Sequence, residues 1–173
     1  MEFPNAAAWA ALVDSEDPEL QAMRRRGAET AHSGELPAAP GSGIANGDYM
    51  GFSSSASVLT LNNSAVNNNT APNAGGGGVQ NLLGTVTANS STINGNTSLN
   101  GGGIASGNGA GGANPPPCTA QINLNNSQVI GNSAAHGGGI FTNGGSVTLS
   151  KTTVGPNTPD NCEPLNTIPG CTG

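Results

Sequence analysis

Small apolar residues recur along this chain in fixed phase with hydroxyl and amide residues. Four segments align on Ser64, Ser91, Ser127 and Thr152. Leu59, Val86, Ile122 and Val147 form one column ahead of these anchors, and Leu61, Ala88, Leu124 and Leu149 form a second. Polar Thr60, Thr87, Asn123 and Thr148 stand between the two columns, while Val66, Ile93, Val129 and Val154 make a third aliphatic column just after the anchors. Each segment then reaches an asparagine, Asn69, Asn96, Asn132 or Asn157, followed by Thr70, Thr97, Ser133 or Thr158. Three segments continue into a glycine block that ends at Val79, Ile104 or Ile140.

Alternation of apolar and polar residues is the pattern of a strand with one buried face. Leu59, Val86, Ile122 and Val147 are therefore expected to form one inward core stack, with the Thr60 column facing solvent. The anchors and the asparagines flank bends, because asparagine tolerates left-handed backbone angles and satisfies local backbone groups. Stacked in register, Asn69, Asn96, Asn132 and Asn157 could bond to one another in a ladder. The glycines permit a tight corner where a Cβ would clash.

The asparagines are 27, 36 and 25 residues apart. A period near 25 predicts one turn of a three-faced coil of short strands. The long interval is explained by a Gly-rich loop insert at 106–120 that contains Pro115, Pro116 and Pro117. The expected fold is all-β: a short right-handed single-stranded parallel β-helix of about four to five rungs. The repeats cover 41–159, residues 160–173 form a tail, and residues 1–40 are a helical or disordered segment with a linker. Ala6 to Val13 is a run of helix formers around Trp9, and Ser15, Pro18 and Glu19 restart a second helix. That segment reads either as a cap on the first open rung or as a loose extension.

Composition supports a stacked repeat over an ordinary globular core. The 173 residues include 28 glycines but only 3% aromatic and 8% charged residues. So low a charge also sets the chain apart from the usual disordered class. Seven of the ten carboxylates lie between Glu2 and Glu35, and the arginines are Arg24, Arg25 and Arg26. From Tyr49 to Pro159 there is no Asp, Glu or Arg, only Lys151 and His136. A net charge of −6 without a basic stripe argues against a nucleic-acid partner. No apolar run is long enough to predict a membrane span, and no signal peptide is visible at Met1.

The repeat body offers little for chemistry. Glycoside hydrolysis needs two placed carboxylates, and the repeat body offers no acid pair. Calcium-binding nonapeptides need an Asp in every turn, and the glycine blocks lack the Lys-Ser/Thr of a phosphate loop. His136 stands at a corner with no carboxylate near it in sequence, as a surface turn residue. The column Thr60, Thr87, Asn123, Thr148 is interrupted, unlike the threonine ladders of ice-binding surfaces. Sequons begin at Asn62, Asn68, Asn89, Asn96 and Asn125, near the number expected by chance in so Asn-rich a chain. Cys162 and Cys171 are expected to pair in a disulfide closing the tail, which suits an extracellular home; two free thiols in a reducing compartment are the alternative. Cys118 has no evident partner, and no metal or cofactor is expected.

The slots Val66-Asn67-Asn68-Asn69, Ile93-Asn94-Gly95-Asn96 and Val129-Ile130-Gly131-Asn132, paired with glycine blocks, resemble the repeats of polymorphic outer-membrane proteins. There the motifs read Phe-x-x-Asn and Gly-Gly-Ala-Ile, so Val or Ile replaces Phe, and Gly replaces Ala. With its Asn157-Thr158-Pro159-Asp160-Asn161-Cys162 ending, the chain is similar to secreted right-handed β-helix repeat proteins of actinobacteria. The resemblance spans residues 41–173 and implies a secreted or cell-surface protein. The expected function is a non-catalytic structural or adhesive module. A carbohydrate-active β-helix protein, or a fragment of a larger surface protein without independent function, are the alternatives. Its partner would be a surface glycan or protein, or another copy of the chain meeting an open rung.

Overall fold

The computed structural model describes residues 43–47, 57–82, 84–107 and 120–173. The expected N-terminal segment with Trp9, Cys118, and residues 108–119 of the insert lie outside them. Among the described residues the chain is a parallel β-helix with no helical segment. It opens with β1 (Ile44–Asn46). The first full turn is β2 (Ser57–Asn62), β3 (Ala65–Asn67), β4 (Thr70–Gly75) and β5 (Val79–Asn81). The second is β6 (Gly84–Asn89), β7 (Thr92–Asn94), β8 (Thr97–Asn100) and β9 (Ile104–Gly107). The third is β10 (Gln121–Asn125), β11 (Gln128–Ile130), β12 (Ser133–His136) and β13 (Ile140–Asn143). A fourth turn holds β14 (Ser146–Ser150), β15 (Thr153–Val154) and β16 (Cys162–Glu163).

The first three turns thus pass through four ladders, not three faces. They are β1-β5-β9-β13-β16, β2-β6-β10-β14, β3-β7-β11-β15 and β4-β8-β12. The extra ladder arises because the two bends isolate the strands of the β3 ladder, each two or three residues long. Both bends use left-handed residues in register: Asn63, Ser90, Asn126 and Lys151 at φ 47°, 48°, 50° and 49°, then Asn68, Gly95 and Gly131 at 58°, 65° and 67°. These residues stand one position before the anchor and asparagine columns. The columns themselves do not adopt the left-handed angles expected of them, which frees their side chains to point inward.

The core follows from register. Leu59, Val86, Ile122 and Val147 are stacked partners, as are Leu61, Ala88, Leu124 and Leu149. Val66, Ile93, Val129 and Val154 form a third stack. Ile44, Val79, Ile104, Ile140 and Cys162 form a fourth. Val86, Ile93, Ile104, Ile122, Leu124, Val129 and Ile140 are fully buried, each contributing roughly 1.5–3 kcal/mol. Leu59 and Val147 are only half-buried, since each lies in an outer turn with a neighbour on one side.

One glycine block shows why the corner carries no side chains. Gly101 takes φ 63°, a Cβ on Gly102 would lie 2.5 Å from the Gly138 and Ser133 carbonyl oxygens, and one on Gly103 would meet Val129 Cγ1 at 2.8 Å. Two boundaries also shift. Ser106 and Gly107 belong to β9, so the insert starts later than 106. The coil runs past residue 159, because β16 pairs with β13.

Candidate functional site

The two bends of each turn are closed by side chains, and this is where the sequence columns meet. At the first bend, the backbone N–H of Ser64 donates to Ser91 Oγ at 3.1 Å, that of Ser91 to Ser127 Oγ at 3.1 Å, and that of Ser127 to Thr152 Oγ1 at 3.3 Å. At the second, the backbone N–H groups of Asn69, Asn96 and Asn132 each donate at 2.9 Å to the Oδ1 of the asparagine one turn on. The same oxygens accept side-chain Nδ2 donors: Asn69 to Asn96 at 2.9 Å, Asn96 to Asn132 at 3.0 Å, and Asn132 to Asn157 at 3.0 Å. The second amide hydrogen reaches back to a core-strand carbonyl, as from Asn132 to Ile93 O at 3.0 Å. A left-handed residue interrupts the strand-to-strand backbone bonding, and the side-chain oxygen supplies the missing acceptor.

Asn161 was not apparent from the repeat. It accepts from Asn157 N at 3.0 Å and Asn157 Nδ2 at 3.3 Å, and donates to Thr172 O at 2.7 Å. It closes the column, only four residues after Asn157. Next to it Cys162 and Cys171 form a disulfide. Ile168 and Cys171 are buried in the same apolar cluster as Ile140, so the tail seals this end of the coil.

The outer face of the β2-β6-β10-β14 ladder carries no charged residue. Thr60, Thr87, Asn123 and Thr148 are in register there, beside Val58, Thr85, Gln121 and Ser146. A third outward column is itself a ladder: Asn89 Nδ2 donates to Asn62 Oδ1 at 2.8 Å, and Asn125 Nδ2 to Asn89 Oδ1 at 2.9 Å. The sequons at Asn62, Asn89 and Asn125 acquire an architectural reason here. Each is a strand-ending asparagine, a left-handed residue and the inward hydroxyl of the first bend.

Ionisable groups converge at one corner. His136 ends β12, and Gly137 turns the chain with φ 58°. The tail runs alongside: Gly139 N donates to Asp160 O at 3.2 Å, and Glu163 lies opposite Phe141 in register. His136 Nδ1 lies 3.3 Å from Glu163 Oε1. The expectation of a histidine without a carboxylate partner is therefore corrected. The carboxylates come from the tail, which the pairing of β16 with β13 lays beside the corner. Asp160 is the second acid there. Partial burial, and then the negative charge of Glu163, push its carboxyl above the usual carboxylate range, against a Gly138 N–H bond and His136. Its Oδ1 is closed off from solvent without a hydrogen-bond partner. Glu163 beside Nδ1 favours the ring form that carries a proton on that nitrogen.

Among the described residues no group of three or more His, Cys, Asp or Glu is arranged to hold a metal ion. No described helix is long and apolar enough to cross a membrane. No family model, curated protein or solved structure matches the chain.

Proposed function

We propose that this protein is a non-catalytic structural or adhesive module of an extracellular or cell-surface setting. The observation that carries the reading is the uncharged, registered outer face of the β2-β6-β10-β14 ladder. It sits on a coil whose inward asparagines and hydroxyls are already engaged with neighbouring turns. A rigid array of hydroxyl and amide groups loses little freedom on binding, and its neutrality suits a neutral, hydroxyl-rich partner such as a surface glycan. The disulfide favours an oxidising compartment, and the likeness to secreted β-helix repeats points the same way.

The test is retention of the full chain on a panel of immobilised and insoluble glycans. Retention without release of new reducing ends supports the reading. Thr87→Lys and Asn123→Lys should weaken it about tenfold, or about 1.4 kcal/mol, without lowering Tm. Retention indifferent to both substitutions would remove this face as the contact surface.

The His136 corner favours a second reading, a carbohydrate-active protein, because an oriented imidazole beside two carboxylates could transfer protons. Turnover of a polysaccharide, lost in His136→Ala and in Glu163→Gln, would replace the first reading with this one.

A further inference from the structure

On the outer face of the β2-β6-β10-β14 ladder, side-chain length changes abruptly between the third turn and the fourth. Alternate residues of a strand point to one face, so β10 turns Gln121, Asn123 and Asn125 outward, an amide at every position. Their register partners on β14 are Ser146, Thr148 and Ser150, all hydroxyl residues and all exposed. A row of amides thus stands beside a lower row of hydroxyls. Neighbours within each row are about 6.6–6.8 Å apart, two residues along a strand. Among the described residues nothing bonds to the side chains of Gln121 and Asn123.

The outward asparagine ladder shows how this surface holds an amide. Asn89 Nδ2 donates to Asn62 Oδ1, and Asn125 Nδ2 donates to Asn89 Oδ1. Each donor points to the preceding turn, and each acceptor oxygen points to the following one. In the same orientation Asn125 Oδ1 faces the fourth turn at Ser150, its register partner. Serine is too short to carry the ladder on, and among the described residues no side chain donates to Asn125 Oδ1.

We propose that this step takes a neutral glycan bearing acetamido groups, with one acetamido N–H donating to Asn125 Oδ1 above Ser150. The inference rests on the reading of this face as a glycan contact and names the class of sugar. A sugar hydroxyl also donates, but it is a rotor that must be stilled on binding. An acetamido group is a planar trans amide whose N–H and C=O point in opposite directions. It therefore accepts and donates along one line, as each asparagine of the ladder does, and extends that ladder by one unit. The ring hydroxyls then lie over Ser146 and Thr148, with Gln121 and Asn123 alongside.

The test is titration calorimetry of the full chain with chitin and cellulose oligosaccharides of equal length, which share a linkage and differ in the acetamido group. Asn125 opens a sequon, so the protein is made in a host that attaches no N-glycans. The chitin oligosaccharide should bind about fivefold more tightly, as one added hydrogen bond allows. Ser150→Asn should abolish that preference, because its own amide then donates to Asn125. The change repeats the strand-ending asparagines of the earlier turns, so Tm should not fall. Asn125→Ala, which removes the acceptor itself, should abolish the preference as well. Equal binding of both oligosaccharides by the unaltered chain would overturn the acetamido contact while leaving the wider glycan reading in place. So would a preference that survives both substitutions. Binding of neither oligosaccharide would overturn the two readings together.

Discussion

Removing the middle of the amide column should cost far more than removing its end. In Asn132→Ala, two buried donors lose their partner, the backbone N–H of Asn96 and one of the two Asn96 amide hydrogens, while the Ile93 carbonyl oxygen keeps its place in the ladder of β7 and β11. The other Asn96 amide hydrogen stays on Val66 O, and Asn157 Oδ1 still accepts from the backbone of residue 132. Each orphaned group costs about 1–3 kcal/mol, so the loss is about 2–6 kcal/mol against a total stability of about 5–15 kcal/mol. In Asn69→Ala no buried group is orphaned: Asn96 Oδ1 keeps the backbone N–H of residue 69, and the Asn67 carbonyl is exposed. The expected loss is below about 1 kcal/mol. Urea titrations of both variants, followed by far-ultraviolet circular dichroism, give the two values from midpoint and slope. If Asn132→Ala were no more destabilising than Asn69→Ala, the column would not be the acceptor system that holds the second bend.

Three other outcomes follow from the same structure. Ile122→Asp should not fold, because a lone carboxylate would replace a fully buried side chain; a purified variant with an unchanged melting curve would place that column at the surface. Replacing Cys162 and Cys171 together by serine should lower stability by about 2–3 kcal/mol, the loop entropy of a small ring, read from the shift in the urea midpoint. Asp160→Asn should raise Tm at pH 7. The Asp160 carboxyl titrates higher in the folded than in the unfolded chain, so its ionisation takes stability away as pH rises through the carboxylate range. At pH 3, where the native side chain is largely protonated, the gain should vanish.

The stacking order was legible because the signal was local and repeated. Leu59, Val86, Ile122 and Val147 share a phase within their segments, and a parallel coil turns shared phase into shared register. The number of ladders was not legible. The anchor and asparagine columns marked both bends, but the strands between them are only two or three residues long, too short to show the alternation of a separate ladder. The His136 corner was hidden for another reason: its carboxylates belong to a stretch with no repeat signature. The usable signal was Asn161-Cys162, which takes the place of Gly139-Ile140 one turn later. Recognising it would have put Glu163 beside Phe141 and His136.

The asparagine column also has a direction. Every amide in it donates toward the C-terminal end and accepts from the N-terminal side. Its dipoles therefore add along the coil, as peptide dipoles do in a helix. The N-terminal end presents oxygen and the C-terminal end presents hydrogen. Two copies placed N-terminal end to N-terminal end would set oxygen against oxygen, so only head-to-tail growth is chemically matched. Yet one amide hydrogen of Asn161 is already held by Thr172 O, so the disulfide-bonded tail occupies the place where the C-terminal end of the column would offer its hydrogen to another turn.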